Sequence, residues 1–428
     1  MRKLTVKNFS VIKEAELEFG KITVLIGPQS SGKSLLCKLA YFFQKVIVEL
    51  AETSLRESDS LDTFRLRVMD EFVRVWFPAF GPEPDAQIDY EDGPYKLTLS
   101  SSRSYNAGSG FSKAGLVLSP EIEARYIQTS RELERERSSS GNTDFNSYAR
   151  VIRSELERLQ SSESAIYSYV PSTRAFFVTS QKAILGTSHR IDPITLRFSQ
   201  DFSFDYLKRV PQIGINHDLT TWIDQESRRI LKGEVVVRGN TEIFSSDDGR
   251  ELPLSILSSG TQELLPLISC LREFAALSSA VATTLDLKEA LHRRLFFVEE
   301  PEANIFPSTQ YDLVRVFARM ANEPVLDASW VITTHSPYIL SSFNNLIEAG
   351  QAARNNPKLH DEVAKIIPEQ YWIKEGDFKA FAIEDGKLKS ILNESGFVEA
   401  NYLDQVSEVI GDEFDKLLRL EYERTKAS

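Results

Sequence analysis

Leu25-Ile26-Gly27-Pro28-Gln29-Ser30-Ser31-Gly32-Lys33-Ser34 is the stretch whose reading decides the fold. It follows an apolar run, Ile22 to Ile26, that reads as a buried strand. It precedes Leu35 to Phe43, whose apolar positions suit a helix packed on a sheet. Strand, loop, helix is the context in which G-x-x-x-x-G-K-[ST] means a phosphate-binding loop. Gly27 and Gly32 permit backbone angles closed to other residues, so the N–H groups of Pro28's successors Gln29, Ser30 and Ser31 can turn inward around a phosphate. The helix opening at Lys33, Ser34 and Leu35 adds free N–H groups and the positive end of its dipole. Lys33 supplies a cation for the β- and γ-phosphates, and the Ser34 hydroxyl can ligate Mg²⁺. The loop is expected to bind ATP with Mg²⁺.

The 428 residues are 42% hydrophobic and 26% charged, which is ordinary globular composition with material for a large core and two or three domains. A net charge of -12 makes the surface as a whole repel nucleic acid and anionic membranes. Cys37 and Cys270 both lie in apolar helical contexts and read as reduced core residues. The opening Met1-Arg2-Lys3-Leu4 continues into an alternating strand rather than a secretory segment, and apolar runs stop short of membrane-spanning length. A soluble cytoplasmic protein with no membrane partner is expected.

Residues 2–8 and 11–18 alternate polar and apolar, as half-buried antiparallel strands do. Helices are expected from Ser34 to about Leu55 and from about Leu61 to Trp76, stopped by Pro78, Gly81 and Pro82. Residues 86–100 read as a hairpin turned at Asp92-Gly93-Pro94. Residues 119–165 are the most polar part, two charge-rich helices (about 131–137 and 151–159) around a Ser/Gly/Asn linker, Ser138 to Thr143. Tyr169 to Phe177 reads as a buried strand with Arg174 at its exit, where it faces a nucleotide or an interface or, equally, makes a structural ion pair. A strand pair, 233–238 and 242–245, turns at Gly239-Asn240; a helix from Pro337 to about Ala353, a hairpin around Tyr371–Ile383 and helices over about 398–424 finish the chain. These elements divide the chain at 1–118, 119–168, 169–342 and 343–428: first half of a head, helical arm, second half of the head, and a C-terminal hairpin with helices.

Four further stretches carry chemistry. Leu257-Ser258-Ser259-Gly260-Thr261-Gln262-Glu263 opens an apolar helix, and a Ser-Gly turn at a helix N-terminus is an anion site. Leu295-Phe296-Phe297-Val298-Glu299-Glu300-Pro301-Glu302 is a buried strand ending in carboxylates, which can hold a Mg²⁺-bound water and an attacking water. Ala303-Asn304-Ile305-Phe306-Pro307 follows at once. Trp330-Val331-Ile332-Thr333-Thr334-His335-Ser336 delivers a histidine to the C-terminal edge of a strand, the edge where parallel sheets bind ligands. Taken singly these are a helix cap, a solvated turn and a core histidine; in this order they are strong together.

The ordered set resembles the ABC-type ATPase heads of the RecF, SMC and OLD group. The fold implied is α/β: a P-loop NTPase with an ABC-type head, a mixed core sheet with N-terminal antiparallel strands, and a helical insertion. The resemblance makes Gly27–Ser34 the Walker A loop, Leu257–Gln262 the signature motif, Val298–Glu302 the Walker B strand, Asn304 the D-loop residue and His335 the switch histidine. It implies that two heads pair head-to-tail around two ATP molecules. Ser258, Ser259, Gly260 and Gln262 would then serve the partner's nucleotide, Glu299 and Ser34 the Mg²⁺ shell, and Glu300 and His335 the catalysis. Glu299 stands where Asp is usual, which implies a longer or water-mediated contact with the metal. Gln128 and Gln181 are the candidates for the glutamine of the Q-loop.

The C-terminal part shows no strand ending in an Asp-x-Asp pair, as two-metal Toprim nuclease chemistry would need. With Tyr169-Val170-Pro171-Ser172-Thr173-Arg174 and the run Val298-Glu299-Glu300-Pro301-Glu302-Ala303-Asn304, the chain resembles the stand-alone ATPases of bacterial anti-phage systems, the AriA-like ATPases of PARIS and the PtuA-like ATPases of Septu. That resemblance implies a homo-oligomer of at least two copies, a separate toxic effector such as a Toprim-type nuclease, and a phage trigger protein; the departures at Glu299 and Gln29 from the family's usual Asp and Asn imply slow ATP hydrolysis. The alternative is a RecF-like DNA-repair clamp, with nucleic acid as partner and Lys208, Arg209, Arg228, Arg229 and Lys232 as phosphate contacts.

Overall fold

Every residue of Ile22–Ile26 is apolar or threonine, and the strand is buried on both faces, which is how a central parallel strand differs from an alternating edge strand. The computed structural model describes residues 2–80, 85–102, 113–139, 165–175, 178, 218–239, 241–283, 293–323, 328–399, 413–414 and 416. Strands β1 (Arg2–Phe9) and β2 (Ile12–Glu18) form a hairpin, and β3 (Ile22–Ile26) leads into α1 (Lys33–Tyr41). A π-helical turn, Phe42–Val46, joins α1 to α2 (Ile47–Arg56), so the expected long helix is one rod with a local widening. Then come α3 (Leu61–Phe80), β4 (Gln87–Asp92), β5 (Tyr95–Ser102), β6 (Lys113–Leu118), α4 (Pro120–Ser139) and β7 (Ala165–Val170). After them lie α5 (Asp218–Leu231), β8 (Gly233–Arg238), β9 (Thr241–Ser246), β10 (Glu251–Pro253) and α6 (Ser259–Thr283). The last described elements are β11 (Arg293–Glu299), α7 (Pro307–Asn322), β12 (Ala328–Thr334), α8 (Pro337–Asn355), α9 (His360–Ile366), β13 (Phe378–Glu384) and β14 (Lys387–Ser390).

Among the described residues the strands make an eleven-stranded sheet, β6-β5-β4-β1-β2-β14-β13-β3-β12-β11-β7, and a three-stranded one, β10-β9-β8. The block β13-β3-β12-β11-β7 is parallel, and β6 to β2 is antiparallel. This is the mixed core sheet with N-terminal antiparallel strands that the sequence implied. Alternate side chains of the parallel block feed two cores. Leu25, Leu295, Phe297 and Val331 join α1 to α4 on one face; Val24, Phe296, Val298, Trp330 and Ile332 join α5 to α8 on the other. Trp330 stacks on Phe296 with ring centroids 4.2 Å apart, and Phe274 meets Phe296 edge-on at 4.7 Å, so α6 is pinned to the sheet.

Several expectations shift. The buried strand ends at Val170, because Pro171 cannot donate to the ladder; Arg174 lies in the turn beyond it. Helix α3 runs on to Phe80 with Pro78 in its last turn, where a missing N–H removes one bond only. The C-terminal hairpin lies later than Tyr371–Ile383: β13 and β14 turn at Asp385 and Gly386, both at positive φ. Moreover β13 is a core strand, pairing parallel to β3 from Phe378↔Ile22 to Ala382↔Ile26. The divisions at 168/169 and 342/343 fall inside β7 and α8. The helix at 151–159, Gln181, Lys208 and Arg209 lie outside the described residues, as does most of 398–424.

Candidate functional site

Register brings the chemistry together. In the sheet Leu25 lies beside Thr333 and Thr333 beside Glu299, while Ile26 lies beside Thr334. The loop after β3, the histidine after β12 and the carboxylates after β11 therefore leave one edge side by side. Val170 pairs with Val298, so the turn holding Arg174 leaves the same edge.

In the loop, Gly32 sits at φ 106° as the cap of α1, with its missing Cβ replaced by Ile12: a Cβ there would meet Ile12 Cδ1 at 2.4 Å. No side chain caps α1 and no acid occupies its first turn, so its N-terminal N–H groups face the loop's concavity. Lys33 is only 4% exposed, and its Nζ donates to the carbonyls of Gly27 (2.9 Å) and Pro28 (2.8 Å). Burial lowers its pKa, while Glu300 and Glu302 oppose that shift, which places both carboxylates within its field. Ser31 Oγ is buried with no hydrogen-bond partner. An orphan hydroxyl and a folded-back ammonium at the uncapped N-terminus of a helix fit a phosphate chain.

Parity along β11 explains the two adjacent glutamates. Glu299 shares its face with Leu295 and Phe297 and so points toward α1. It is 2% exposed, with Oε1 3.5 Å from Lys38 Nζ and Oε2 accepting from Ser172 N–H at 3.1 Å. Lys38 is one turn after Ser34, on the same stripe of α1. Glu300 lies past the strand end at φ 43°, a strained angle for a residue with a side chain. Its N–H donates to Thr333 O at 2.8 Å. Its Oε1 lies 3.4 Å from His335 Nε2. The backbone N–H of His335 donates to Glu302 Oε1 at 2.5 Å, and burial pushes the Glu302 carboxyl above its ordinary range.

Ser258 caps α6: its Oγ accepts from Thr261 N–H (3.3 Å), and Gln262 turns its amide onto Leu254 O and Ser255 O. Ser258 and Ser259 are exposed, whereas Leu257 and Glu263 are buried. A Cβ on Gly260 would meet Asn304 O at 2.6 Å, so the turn opening α6 and Asn304 touch within the chain. Asn304 is itself at φ 57°. Around them Ile256 (65% exposed), Phe306 (76%) and Tyr338 stand out in solvent.

Arg174, left open between two readings, is structural in its contacts: it is 0% exposed and bonded to Pro171 O, Glu263 O, Glu299 O and Glu300 O. Sequence reasoning missed Lys38 as a neighbour of the site, and it quoted Glu263 and Glu302 within their motifs without giving either a contact of its own. The signals available were an i+4 basic residue after Ser34 and the acids flanking motifs already singled out. Gln128 is an exposed residue on α4 bonded to Glu132. Arg228 pairs with Glu234 and Asp247, and Arg229 with Glu226 and Asp312, so both sit on a solvated ion-paired face.

Mg²⁺ fits this arrangement: Ser34 heads the helix, and the buried Glu299 Oε1 has the Lys38 ion pair at 3.5 Å but no hydrogen bond of its own. Ser34 and Glu299 are the residues that would hold the ion. The ion would neutralise charge on the departing phosphates. No helix among the described residues is long and apolar enough to cross a membrane.

A glycine-bounded loop at the N-terminus of a helix, beside a carboxylate-terminated strand and a histidine-terminated strand, defines a P-loop ATPase head. The chain belongs to the family described as AAA domain, putative AbiEii toxin, Type IV TA system, whose profile matches residues 22–341. Comparison with curated proteins gives no match. Among solved structures, the SMC head domain from Thermotoga maritima is 12% identical, with 92% of this chain and 98% of that chain covered and a TM-score of 0.33. The Smc head domain with a coiled coil and joint from Pyrococcus yayanosii is 9% identical, at 92% and 98% coverage and a TM-score of 0.37. The recombination mediator protein RecF with ATP is 11% identical, at 91% and 98% coverage and a TM-score of 0.32.

Proposed function

We propose that the chain is an ATP-driven switch. Two copies pair head-to-tail, sandwich two ATP molecules, and in that state control a separate toxic effector of nuclease type in bacterial defence. Gly27 to Leu35 wrap the phosphates. Ser259 and Gly260 of the opposing copy, backed by Ser258 and Gln262, complete the γ-phosphate's shell, with Asn304 at the seam. Glu300 orients and deprotonates the attacking water, and His335 holds that carboxylate and reports on the γ-phosphate. Hydrolysis removes the group that both copies share, so the pair opens.

The observation that carries this reading is the exposure of Ser258 and Ser259 at a helix N-terminus, on a chain whose own loop, carboxylates and histidine are already gathered elsewhere. The apolar side chains of Ile256, Phe306 and Tyr338 standing beside the signature, Asn304 and His335 support burial of that face against another copy. The family's description, a toxin of a toxin–antitoxin system, supports a defence setting and a partner protein. The DNA-clamp alternative has less support, because Arg228 and Arg229 are neutralised by their own acids.

Mixing two inactive variants tests the arrangement. Lys33→Ala cannot hold ATP, and Ser259→Arg blocks the signature turn. Together they rebuild one intact composite site, so the mixture hydrolyses ATP although neither variant does alone. A mixture as inactive as its parts would overturn the reading.

A further inference from the structure

Arg174 is the fully buried charge of the described site, and what it joins is unusual. Its Nε donates to Glu263 O at 3.0 Å and lies 3.3 Å from the Glu263 carboxylate. Its two terminal nitrogens reach Pro171 O (3.3 Å), Glu299 O (2.7 Å) and Glu300 O (2.9 Å). Glu263 stands one helical turn after Gly260, and its carboxyl accepts a hydrogen bond from the Asn304 side chain. Asn304 in turn lies against Gly260. A continuous set of contacts therefore runs from the exposed Ser259-Gly260 turn, through Glu263 and Arg174, to the backbone of the catalytic carboxylate.

A buried charge is not a cheap way to fill space; apolar packing of the same volume commonly does it as well or better. A guanidinium is suited to a different task, because its donors lie in one rigid plane. Carbonyls of the β11 end and of α6 are held by that single plane, so a shift of one is carried to the other. Glu300 at φ 43° is the residue most sensitive to it, since its backbone is held by Thr333 O on one side and by Arg174 on the other. We propose that Arg174 is a positioning residue that makes the placement of Glu300 depend on whether the signature turn of the same subunit is engaged by its neighbour's nucleotide. ATP at one composite site then speeds hydrolysis at the other without being required for it, so a pair with a single intact site still turns over, only more slowly. This rests on the head-to-tail reading.

The test is ATPase rate against ATP concentration for the wild type, Arg174→Lys and Glu263→Gln, with fluorescent-nucleotide binding and thermal melting alongside. The wild type is expected to be sigmoidal, with a Hill coefficient approaching about 2, the number of sites. Arg174→Lys keeps the charge but loses the planar fork. Its curve is expected to become hyperbolic, with a Hill coefficient of about 1 and a lower kcat, while nucleotide affinity stays within about twofold. Glu263→Gln should move in the same direction and provides the reading if Arg174→Lys does not fold. An unchanged Hill coefficient in both variants, or a hyperbolic wild type, would sink the coupling while leaving the head-to-tail reading intact if the Lys33→Ala and Ser259→Arg mixture is active. Loss of nucleotide affinity in step with melting temperature would reduce Arg174 to a structural role. An inactive mixture removes the pairing itself and the coupling with it.

Discussion

His335 Nε2 lies 3.4 Å from Glu300 Oε1, at the ends of two adjacent parallel strands. The ring lies against one carboxylate oxygen, and the Glu300 charge acts on the buried ammonium of Lys33. Removing the charge should separate binding from turnover. Glu300→Gln is expected to lower kcat by about 10²–10⁴-fold while ATP still binds, so that the ATP-held oligomer accumulates. Phosphate release and light scattering on the same sample check this; undiminished turnover would refute Glu300 as the base.

Ser259 is exposed, so a substitution there removes no core contact. Ser259→Arg should leave melting within roughly 0.5 kcal/mol of the wild type, as surface changes do. ATP-dependent association and hydrolysis should both disappear, while one copy continues to bind nucleotide. Calorimetry, sedimentation and a fluorescent nucleotide read these three properties independently.

Phe306 follows the residue that touches the signature glycine, and it is exposed. A large ring in that position is expected to be an anchor of the ATP-dependent contact. Phe306→Asp should weaken that association by about 1–3 kcal/mol, roughly tenfold or more, without lowering the melting temperature. Equal dimerisation of variant and wild type across a concentration series would show that the ring lies outside the contact.

Glu302 gives a pH signature. Burial raises its carboxyl above the ordinary value of 4.5, against the hydrogen bond from His335 N–H. The folded chain therefore holds this proton more tightly than the unfolded one. Its favourable contribution is full below about pH 4.5 and is lost as pH rises through the raised value. Glu302→Gln carries no proton to lose, so its stability relative to the wild type should climb with pH across that window. Urea titrations at stepped pH measure the difference; a flat difference would show that the carboxyl is solvated.

Much of the site is local and so was legible. A Gly-x-x-x-x-Gly-Lys-Ser loop between a strand and a helix, a carboxylate-ended strand and a histidine-ended strand are each defined within a few residues, by periods of 2 and 3.6 and by what glycine permits. Their order along the chain was enough to expect them at one sheet edge, where the register does gather the strand ends. The hairpins β1–β2, β4–β5 and β8–β9 were legible for the same reason.

Position in three dimensions decided the rest. Which way Glu299 and Glu300 point follows from strand parity within a sheet whose neighbours come from distant parts of the chain, and Lys38 reaches Glu299 only because α1 covers that face. Phe378–Glu384 reads as a tail hairpin in sequence, yet it is the strand beside β3, since pairing partners 356 positions apart (378 − 22) leave no local trace. Arg174 could have been a ligand for phosphate or a structural tie. Burial decided between them, because a guanidinium cut off from water must satisfy its donors on whatever carbonyls the fold brings to it.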